Sequence, residues 1–549
     1  MIRTLVATLR RWTGRSQADT MAQPLLAGYR GSSPRLRRFL LYIFLAVACA
    51  AYGFAFGIYA PARMMPFVVP AVAVTSLILW CLPLGDYAPI SALEPLFIAY
   101  FAALLLWPNY LALALGNLPW ITVARLTGVP LVLTLLACLS ISRPFRTELR
   151  TILGADALTY RFMLILIALW TGSILLSSDP GTSLNRYSLA MLNYAGIFFV
   201  SCYLFSRPGF ADLWVRMLLV MLTIMCAMAI WEDRLQILPW VGHIPSFLSV
   251  DDPVVQKILR PTFNTLDGNY RVKATATTPL GLSELLGLSM PFTMHFLIGK
   301  HAWQLRLAAA VLLPLFVYVI LLTDSRLGVV AGCASVMFYL LIWAALRWRQ
   351  QKTSLLAPVI VMSYPALFAA FIAATFLVDK LKYKFWGRGS QQASTQGRLD
   401  QWSMGIPKII LNPIGHGIGQ GAETLGFRNL AGELTIDSYW LTVLLEIGVA
   451  GFIVYYGLML RGAFSAARTV VNMGQDREFG LLLPMSVALL NFVIVKIAFS
   501  QDANHPLIFM MLGATVALTY RASKLRPLPG ADLRAVAKRA NRLARVRVR

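Results

Sequence analysis

Long apolar stretches separated by short polar connections make up most of the pattern of hydrophobic and polar positions in this chain. Each stretch has close to the about 20 residues that an α-helix needs to cross the hydrocarbon core of a bilayer. We place roughly fourteen of them at residues 39–60, 66–85, 92–110, 119–141, 156–177, 188–205, 211–231, 280–299, 306–323, 327–346, 355–378, 437–460, 481–499 and 506–521. The pattern predicts an all-α polytopic membrane protein with roughly 14 transmembrane helices.

Two polar segments are much longer than the other connections, at about 233–279 and 379–436. With the apolar stretches they form a predicted transmembrane helical domain over residues 39–521, which follows a basic tail at 1–38. The basic tail at 522–549 places its apolar residues on one helical stripe, which favours an amphipathic helix on the anionic inner leaflet. A solvated, unstructured tail remains the alternative there, and no signal peptide is apparent at the N-terminus.

The composition supports a membrane protein and argues against nucleic acid as a partner. The chain is 58% hydrophobic and 13% charged, whereas soluble proteins are about 45–50% apolar, so large soluble domains are excluded. The net charge of +25 would suggest nucleic acid as the partner of a soluble protein. Cytoplasmic loops of membrane proteins carry excess Lys and Arg, so we expect no nucleic-acid partner. The six cysteines lie in apolar stretches without a disulfide or zinc pattern, and we interpret them as small hydrophobes.

The positions of the basic residues predict which connections share a side of the membrane. Both tails are basic and are therefore assigned to the cytoplasm. With the N-terminus inside, several basic connections also fall inside, and these contain Arg143, Arg146, Arg150, Lys300, Arg306, Arg347, Arg349, Lys352, Arg461, Arg468 and Arg477. The two long loops then lie outside, with the short connections near 179–186, 324–326 and 501–505. Lys and Arg are usually concentrated in cytoplasmic loops, yet these outer loops also carry basic residues. Their presence suggests an anionic ligand.

The first candidate motif is Thr323-Asp324-Ser325-Arg326, between two predicted spans. Charged residues at the membrane edge are costly and usually functional. The planar guanidinium of Arg326 suits bidentate recognition of phosphate. A polar cap on a hairpin between two spans is the structural alternative.

The second motif runs through the longer outer loop, as Arg398 and Trp402 followed by the glycine run Gly415-His416-Gly417-Ile418-Gly419. Alternating glycines let the backbone approach a ligand, and successive amides can form a nest for an anion. The run lacks the Gly-Lys-Ser/Thr ending of a nucleotide loop. An ordinary tight turn is the alternative, and we interpret His416 as a loop residue.

The third motif begins at Asp437, where the outer loop returns to the membrane, and continues through Tyr439 to Glu446. A carboxylate placed at that edge can act as a general base. Asp437 is equally suited to cap the N-terminus of the following helix. Glu446 lies deeper, and we interpret it as a structural carboxylate.

The fourth motif, Arg271-Val272-Lys273 followed by three threonines, leads into a span that contains Glu284. Two cations followed by hydroxyls suit a lipid-linked pyrophosphate and its sugar. An interfacial anchor is the alternative.

Taken together in their order and spacing, these four motifs resemble the O-antigen polymerase and O-antigen ligase superfamily of envelope glycosyltransferases, over roughly residues 160–520. The resemblance implies a helical membrane enzyme that uses an undecaprenyl-diphosphate-linked oligosaccharide on the periplasmic side of the bacterial inner membrane, without a metal or other cofactor. It also implies that Arg326 and Arg398 hold the diphosphate. The other expected partners are the lipid bilayer and envelope polysaccharide assembly proteins.

One departure from the superfamily pattern favours a polymerase over a ligase. Ligases that attach glycan to lipid A-core carry a histidine at the loop-to-span junction, where this chain has Asp437. We therefore predict a polymerase of exopolysaccharide or O-antigen repeat units, with ligase activity as the alternative and a transporter or flippase as a second one. Asp437, or less readily Glu284, would accept the proton of the acceptor hydroxyl. Trp402 and Tyr439 would stack on sugars, unless they serve only as interfacial aromatics.

Overall fold

The computed structural model describes residues 88–113, 120–248, 252–263, 268–353, 355–379, 390–429, 432–473 and 478–525, with isolated positions at 43, 47, 74–79, 81, 82 and 382. The chain divides into two compact units, Met1–Pro70 and Ala71–Arg549, and the second is described below. The predicted span at 39–60, most of the span at 66–85, the basic tail at 1–38 and the basic tail beyond Leu525 lie outside the described residues.

The described residues are α-helical almost throughout. The helices are α1 Leu93–Leu106, α2 Val123–Ile141, α3 Arg143–Gly154, α4 Ala157–Ser173, α5 Pro180–Ala190, α6 Ile197–Leu204, α7 Phe210–Leu235, α8 Pro253–Leu259, α9 Pro279–Ile298, α10 Trp303–Leu322, α11 Arg326–Gln350, α12 Leu356–Leu377, α13 Ser390–Leu411, α14 Gly421–Leu425, α15 Tyr439–Met473, α16 Leu482–Val495 and α17 His505–Leu525. A π-helix, Met191–Gly196, joins α5 to α6. Two short strands, β1 Ala112–Leu113 and β2 Ile121–Thr122, pair antiparallel.

The helices confirm an all-α polytopic membrane protein. Within the described residues, 8 helical segments are long and apolar enough to cross a membrane: Val123–Ile141, Ala157–Leu176, Pro180–Leu204, Phe210–Leu235, Trp303–Leu322, Arg326–Gln350, Tyr439–Met473 and His505–Leu525. Shorter apolar helices lie at Ile90–Leu106, Leu356–Ala366 and Phe479–Val495. The total of roughly 14 spans stays a prediction.

Two segments that read as connections in the sequence are helical in the structure. The outer loop predicted at 379–436 contains α13, a helix of 22 residues. The basic connection after α2 forms α3, which begins where the Ser142 hydroxyl accepts a 3.3 Å hydrogen bond from the Phe145 amide. Phe145, Leu149, Ile152 and Leu153 bury one face of α3 against the bundle, whereas Arg143 and Arg150 are exposed. Neither helix has the long apolar run that the span prediction required.

The most buried helices are α6, α9, α16 and α17, and they form the centre of the bundle. Helix α9 packs against α10, α11 and α16, while α15 packs against α4, α16 and α17. Small residues allow the close approach of α9 and α11, because a Cβ atom on Gly287 would lie 2.6 Å from that of Ala331. Because α9 and α16 are both central, the polar groups at one end of each helix lie close together.

The connections that the charge pattern assigned to the outer side meet at one end of this bundle. The Arg271 side chain donates a 3.0 Å hydrogen bond to the Thr323 carbonyl, and the Thr278 hydroxyl lies 2.6 Å from the Gln501 side-chain oxygen. The Tyr439 amide donates to the Lys496 carbonyl at 3.0 Å. This end of the bundle, which we call the site face, therefore gathers residues from distant parts of the chain. The side of the membrane on which it lies stays a prediction.

Candidate functional site

The structure brings Arg326 and Arg398 together. Arg326 is the first residue of α11, and the preceding Ser325 caps that helix by accepting the Gly328 amide at 3.2 Å. Arg398 lies on α13, in the long segment that is predicted to be outside, and it is close enough to Arg326 for the two positive charges to repel each other. Asp324 attracts both Arg326 and the neighbouring Arg271. Two of the three arginines thus share one carboxylate, and the cluster keeps an excess of positive charge.

An apolar groove begins beside this cluster. It has a volume of about 500 Å³ and lies between α10, α11 and α12. From the site face inward it is lined by Gly328, Val329, Gly332, Cys333, Val336 and Leu340 of α11, together with Val317, Ile320 and Leu321 of α10. Gly328 is two residues from Arg326, so the charged cluster and the groove share one end of α11.

Arg271 and Lys273, which the sequence motif presents as a pair, have different surroundings. Burial lowers the pKa of the Arg271 guanidinium, and the negative charge of Asp324 opposes that shift. The buried Lys273 ammonium donates to the carbonyls of Ile258 and Arg260 and to the Thr262 hydroxyl. All three protons of the Lys273 ammonium are therefore donated to acceptors within the protein. This geometry does not favour contact of Lys273 with the substrate, which stays a prediction.

The glycine run packs against a break in α15. Helix α15 loses helical geometry at Gly448, which has φ 71° and ψ −172°. The His416 amide donates to the Leu445 carbonyl at 2.8 Å, and the Gly417 amide donates to the Glu446 carbonyl at 2.9 Å. In return, the Val449 amide donates to the Pro413 carbonyl at 2.9 Å. The loop thus supplies the partners that the interrupted helix lacks.

One amide of the glycine run, that of Gly419, and the amide of Gly421 just after it are directed at the protein's own carboxylate. The Gly421 amide donates to Glu446 Oε1 at 3.4 Å, and the Gly419 amide also donates to this carboxylate. Positive φ values of 101° at Gly415, 105° at Gly417 and 87° at Gly419 let the backbone turn this tightly. Contact of Gly415, His416, Gly417 or Gly419 with substrate stays a prediction.

Asp437 is tied to α13 rather than to its own helix. Its carboxylate accepts a 3.2 Å hydrogen bond from the Gln401 side chain, and its amide donates back to that side chain at 2.8 Å. The interpretation of Asp437 as the helix cap is wrong, because the hydroxyl of Ser438 accepts the Leu441 amide instead. Gln401 lies three residues after Arg398, so the pairing fixes Asp437 to the helix that carries this arginine.

Trp402 and Glu284 have partners within the protein. Trp402 packs on a cluster formed by Leu425, Leu441 and Leu445. Glu284 is fully buried, and its Oε1 lies 2.8 Å from the equally buried Lys496 ammonium, while Asn504 donates to Oε2 at 2.7 Å. Stacking of Trp402 on a sugar and substrate contact by Glu284 stay predictions.

A second, polar cavity lies on the site face and was not found from the sequence. It has a volume of about 300 Å³ and its polar lining includes Arg186, Tyr194, Tyr439, Glu446, Tyr455 and Asp502. Arg186 forms a 3.4 Å ion pair with Asp502, which also accepts a 3.3 Å hydrogen bond from the Tyr194 hydroxyl. Tyr194 comes from the π-helix, a type of helix often associated with functional sites. We call this cavity the polar pocket.

Residues 309–456 match a family model described as O-antigen ligase. The match supports a relationship of residues 309–456 to the O-antigen ligase and polymerase superfamily. Members of the superfamily are glycosyltransferase-like enzymes, so the match points to ligase-type or polymerase-type chemistry on lipid-linked polysaccharide. A search of curated proteins found no match to the chain.

The superfamily segment contains part of the site face. It runs from α10 into α15 and includes Arg326, Arg398, the glycine run, Asp437 and Glu446. Arg271 and Glu284 precede the segment, as does Arg186, and Asp502 follows it. Among the described residues, no group of three or more His, Cys, Asp or Glu side chains is arranged to hold a metal ion.

Proposed function

We propose that the protein joins undecaprenyl-diphosphate-linked oligosaccharide repeat units into exopolysaccharide or O-antigen at the periplasmic face of the bacterial inner membrane. The observation that carries this proposal is the approach of Arg326 to Arg398 beside an apolar groove. Two guanidinium charges repel each other, and an anion between them relieves that repulsion. A diphosphate attached to a polyprenyl chain supplies both the anion and an apolar tail that suits the groove.

The chemistry of the proposed transfer follows from these positions. The acceptor hydroxyl oxygen attacks the anomeric carbon of the donor glycan, and the bond from that carbon to the diphosphate oxygen breaks. Negative charge then develops on the diphosphate, so Arg326 and Arg398 stabilise the transition state more than the ground state. Asp437 accepts the proton of the acceptor hydroxyl, and undecaprenyl diphosphate leaves. The Asp437 carboxylate is held by the side chain of Gln401, which lies one helical turn from Arg398 on α13.

Ligase activity is the second candidate, because the matched family model is described as O-antigen ligase. In this activity the same donor glycan is transferred to lipid A-core instead of to another repeat unit. Asp437, at the place where the ligase pattern has histidine, favours the polymerase.

The deciding experiment uses the full chain purified in detergent. Radiolabelled lipid-linked oligosaccharide is isolated from the source bacterium after deletion of this gene, and it is supplied with and without lipid A-core. A polymerase produces a ladder of longer glycans without lipid A-core, whereas a ligase transfers label only when lipid A-core is present. The double variant Arg326→Lys/Arg398→Lys serves as the inactive control. Absence of transfer by the wild-type chain in both mixtures would overturn the proposal.

A further inference from the structure

The polar pocket and the helix that carries Arg398 both contact one short segment, residues 436–439. Ile436 and Tyr439 line the polar pocket. Asp437, between them in the chain, instead reaches Gln401 on the helix that carries Arg398. Residues 436–439 therefore form a shared wall, with the candidate base in the wall itself. A group bound in the pocket would therefore contact Ile436 and Tyr439, which flank Asp437 in the chain.

The lining of the polar pocket is not suited to a second diphosphate. Its guanidinium, from Arg186, already pairs with the carboxylate of Asp502, and Glu446 adds another carboxylate. These two acidic groups oppose the entry of an anion, but they readily accept hydrogen bonds from hydroxyl groups. Trp170, Tyr194 and Tyr439 add aromatic surface for the C–H face of a ring. The chemistry fits an uncharged sugar.

The size and rigidity of the pocket agree with this chemistry. A cavity volume of about 300 Å³ has room for one sugar ring. Two glycine amides hold the Glu446 carboxylate, and Tyr439 packs edge-on against His505 with ring centroids 4.5 Å apart. Arg186 and Asp502 are about half exposed, with side-chain values of 53% and 49%, so the pocket opens at their ion pair.

We infer that the polar pocket binds the terminal, uncharged sugar of the acceptor and presents its hydroxyl to Asp437. This inference rests on the proposed function, because it assigns the second substrate of the same transfer. Glu446 and Asp502 orient the sugar through its hydroxyl groups, and the arginine cluster holds the donor.

The test fills the pocket without changing its charge. Ala422 lines the pocket from the five-residue helix α14, and Ala422→Leu adds apolar volume there. The matched control is Glu423→Leu, at an exposed neighbouring position that does not line the pocket. Binding of methyl glucoside, methyl galactoside, methyl mannoside, methyl N-acetylglucosaminide and methyl glucuronide is measured by saturation-transfer NMR on the full chain in detergent. Thermal stability is recorded for each variant.

We expect at least one of the four uncharged glycosides to bind the wild-type chain and the Glu423→Leu variant, and methyl glucuronide to bind neither. Ala422→Leu should weaken that binding by about tenfold or more, the effect of roughly 1.4 kcal/mol. Asp502→Asn provides a second variant that adds no bulk, and it should weaken binding in the same direction. Equal binding by the wild-type, Ala422→Leu and Asp502→Asn proteins would overturn the inference, as would preference for the glucuronide or no binding of any uncharged glycoside.

A separate measurement distinguishes failure of this inference from failure of the proposed function. Undecaprenyl diphosphate, added as the probe of the donor site, should stabilise the wild-type and Ala422→Leu proteins to the same extent. If it stabilises both while glycoside binding is absent, the acceptor assignment is wrong and the donor assignment stands. If it stabilises neither, the proposed function fails.

Discussion

The amide of Gly417 donates a 2.9 Å hydrogen bond to the carbonyl oxygen of Glu446, and this contact joins the turn of the glycine run to a broken membrane helix. Backbone groups within a bilayer need partners from the protein, because hydrocarbon offers none. The break at Gly448 is therefore stable only while the turn supplies hydrogen-bond partners to the backbone groups that the break exposes. The same turn positions the Glu446 carboxylate at the polar pocket.

We expect Gly448→Ala to destabilise the protein. Its φ of 71° is unfavourable for alanine, and a Cβ atom would lie 2.2 Å from the Pro413 carbonyl oxygen. The combined strain and clash should cost at least about 2 kcal/mol, seen as a lower thermal unfolding midpoint in detergent. Gly172→Ala is the control, because its Cβ would meet nothing within 4 Å in α4. An unchanged midpoint for Gly448→Ala would show that the turn and the helix break are not coupled as described.

Arg326→Lys and Arg398→Lys should each reduce turnover by about 10²-fold or more. Lysine keeps the charge but loses the planar, bidentate guanidinium, and the loss of one preorganised transition-state donor has this magnitude. Glycan transfer per mole of purified variant is the measurement. Arg428→Lys, an exposed arginine of the same outer segment, should keep normal turnover. Near-normal turnover of both cluster variants would limit Arg326 and Arg398 to a topological role.

Asp437→Asn should leave a folded protein with turnover reduced by about 10²–10⁴-fold. Asparagine keeps an oxygen that can accept the Gln401 hydrogen bond, but it cannot take a proton from the acceptor. Ser438→Ala is a control for helix capping, and it should cost about 1 kcal/mol of stability while turnover is maintained. A stable Asp437→Asn protein with wild-type turnover would remove this residue from the mechanism.

Lys496→Met alone should be strongly destabilising, by about 3–5 kcal/mol, because it leaves the Glu284 carboxylate buried and unpaired. The double variant Lys496→Met/Glu284→Gln should recover most of this loss, since no uncompensated charge remains and Asn504 keeps an acceptor. Thermal unfolding of the two variants measures the difference. Equal destabilisation by the single and double variants would contradict the pairing.

Single cysteines at Gln396 and Ser523 should label from opposite sides of the membrane, in a background without the native cysteines. Gln396 belongs to the outer segment and Ser523 to the last turns of α17, and both are exposed. An impermeant maleimide should react with Gln396→Cys in intact spheroplasts and with Ser523→Cys only after lysis. The reverse pattern would invert the predicted topology.

The sequence predicts those parts of the site whose chemistry is visible over a few neighbouring residues. Arg326, Arg398 and Asp437 each lie in a recognisable local pattern, and the structure places Arg398 near Arg326 and ties Asp437 to the Arg398 helix. Arg186 and Asp502 are 316 residues apart, in short connections without a motif. Their pairing depends on how the helices pack, so the only sequence signal was their common assignment to the outer side.

The local sequence pattern also does not determine which group the glycine run contacts. Alternating glycines indicate that the backbone at 415–419 approaches something closely, and an anionic ligand and a tight turn both fit that pattern. The actual partner of His416 is the carbonyl of Leu445, 29 residues further along the chain. The sequence alone does not predict the break in α15, because a glycine within an apolar stretch can also remain helical. Tertiary contacts decide whether Gly448 leaves helical geometry.

The pairing of the glycine run with α15 also constrains the order in which the protein is made. The run precedes α15 in the chain, so it leaves the ribosome first. If α15 entered lipid with its break unpaired, the carbonyls of Leu445 and Glu446 would each lack a donor, at a cost of several kcal/mol per group. In the predicted topology, stable integration of this helix therefore depends on prior translocation of the segment that carries α13 and the glycine run. A block in that translocation would leave the C-terminal spans poorly inserted, even though their own hydropathy is sufficient for entry into the membrane.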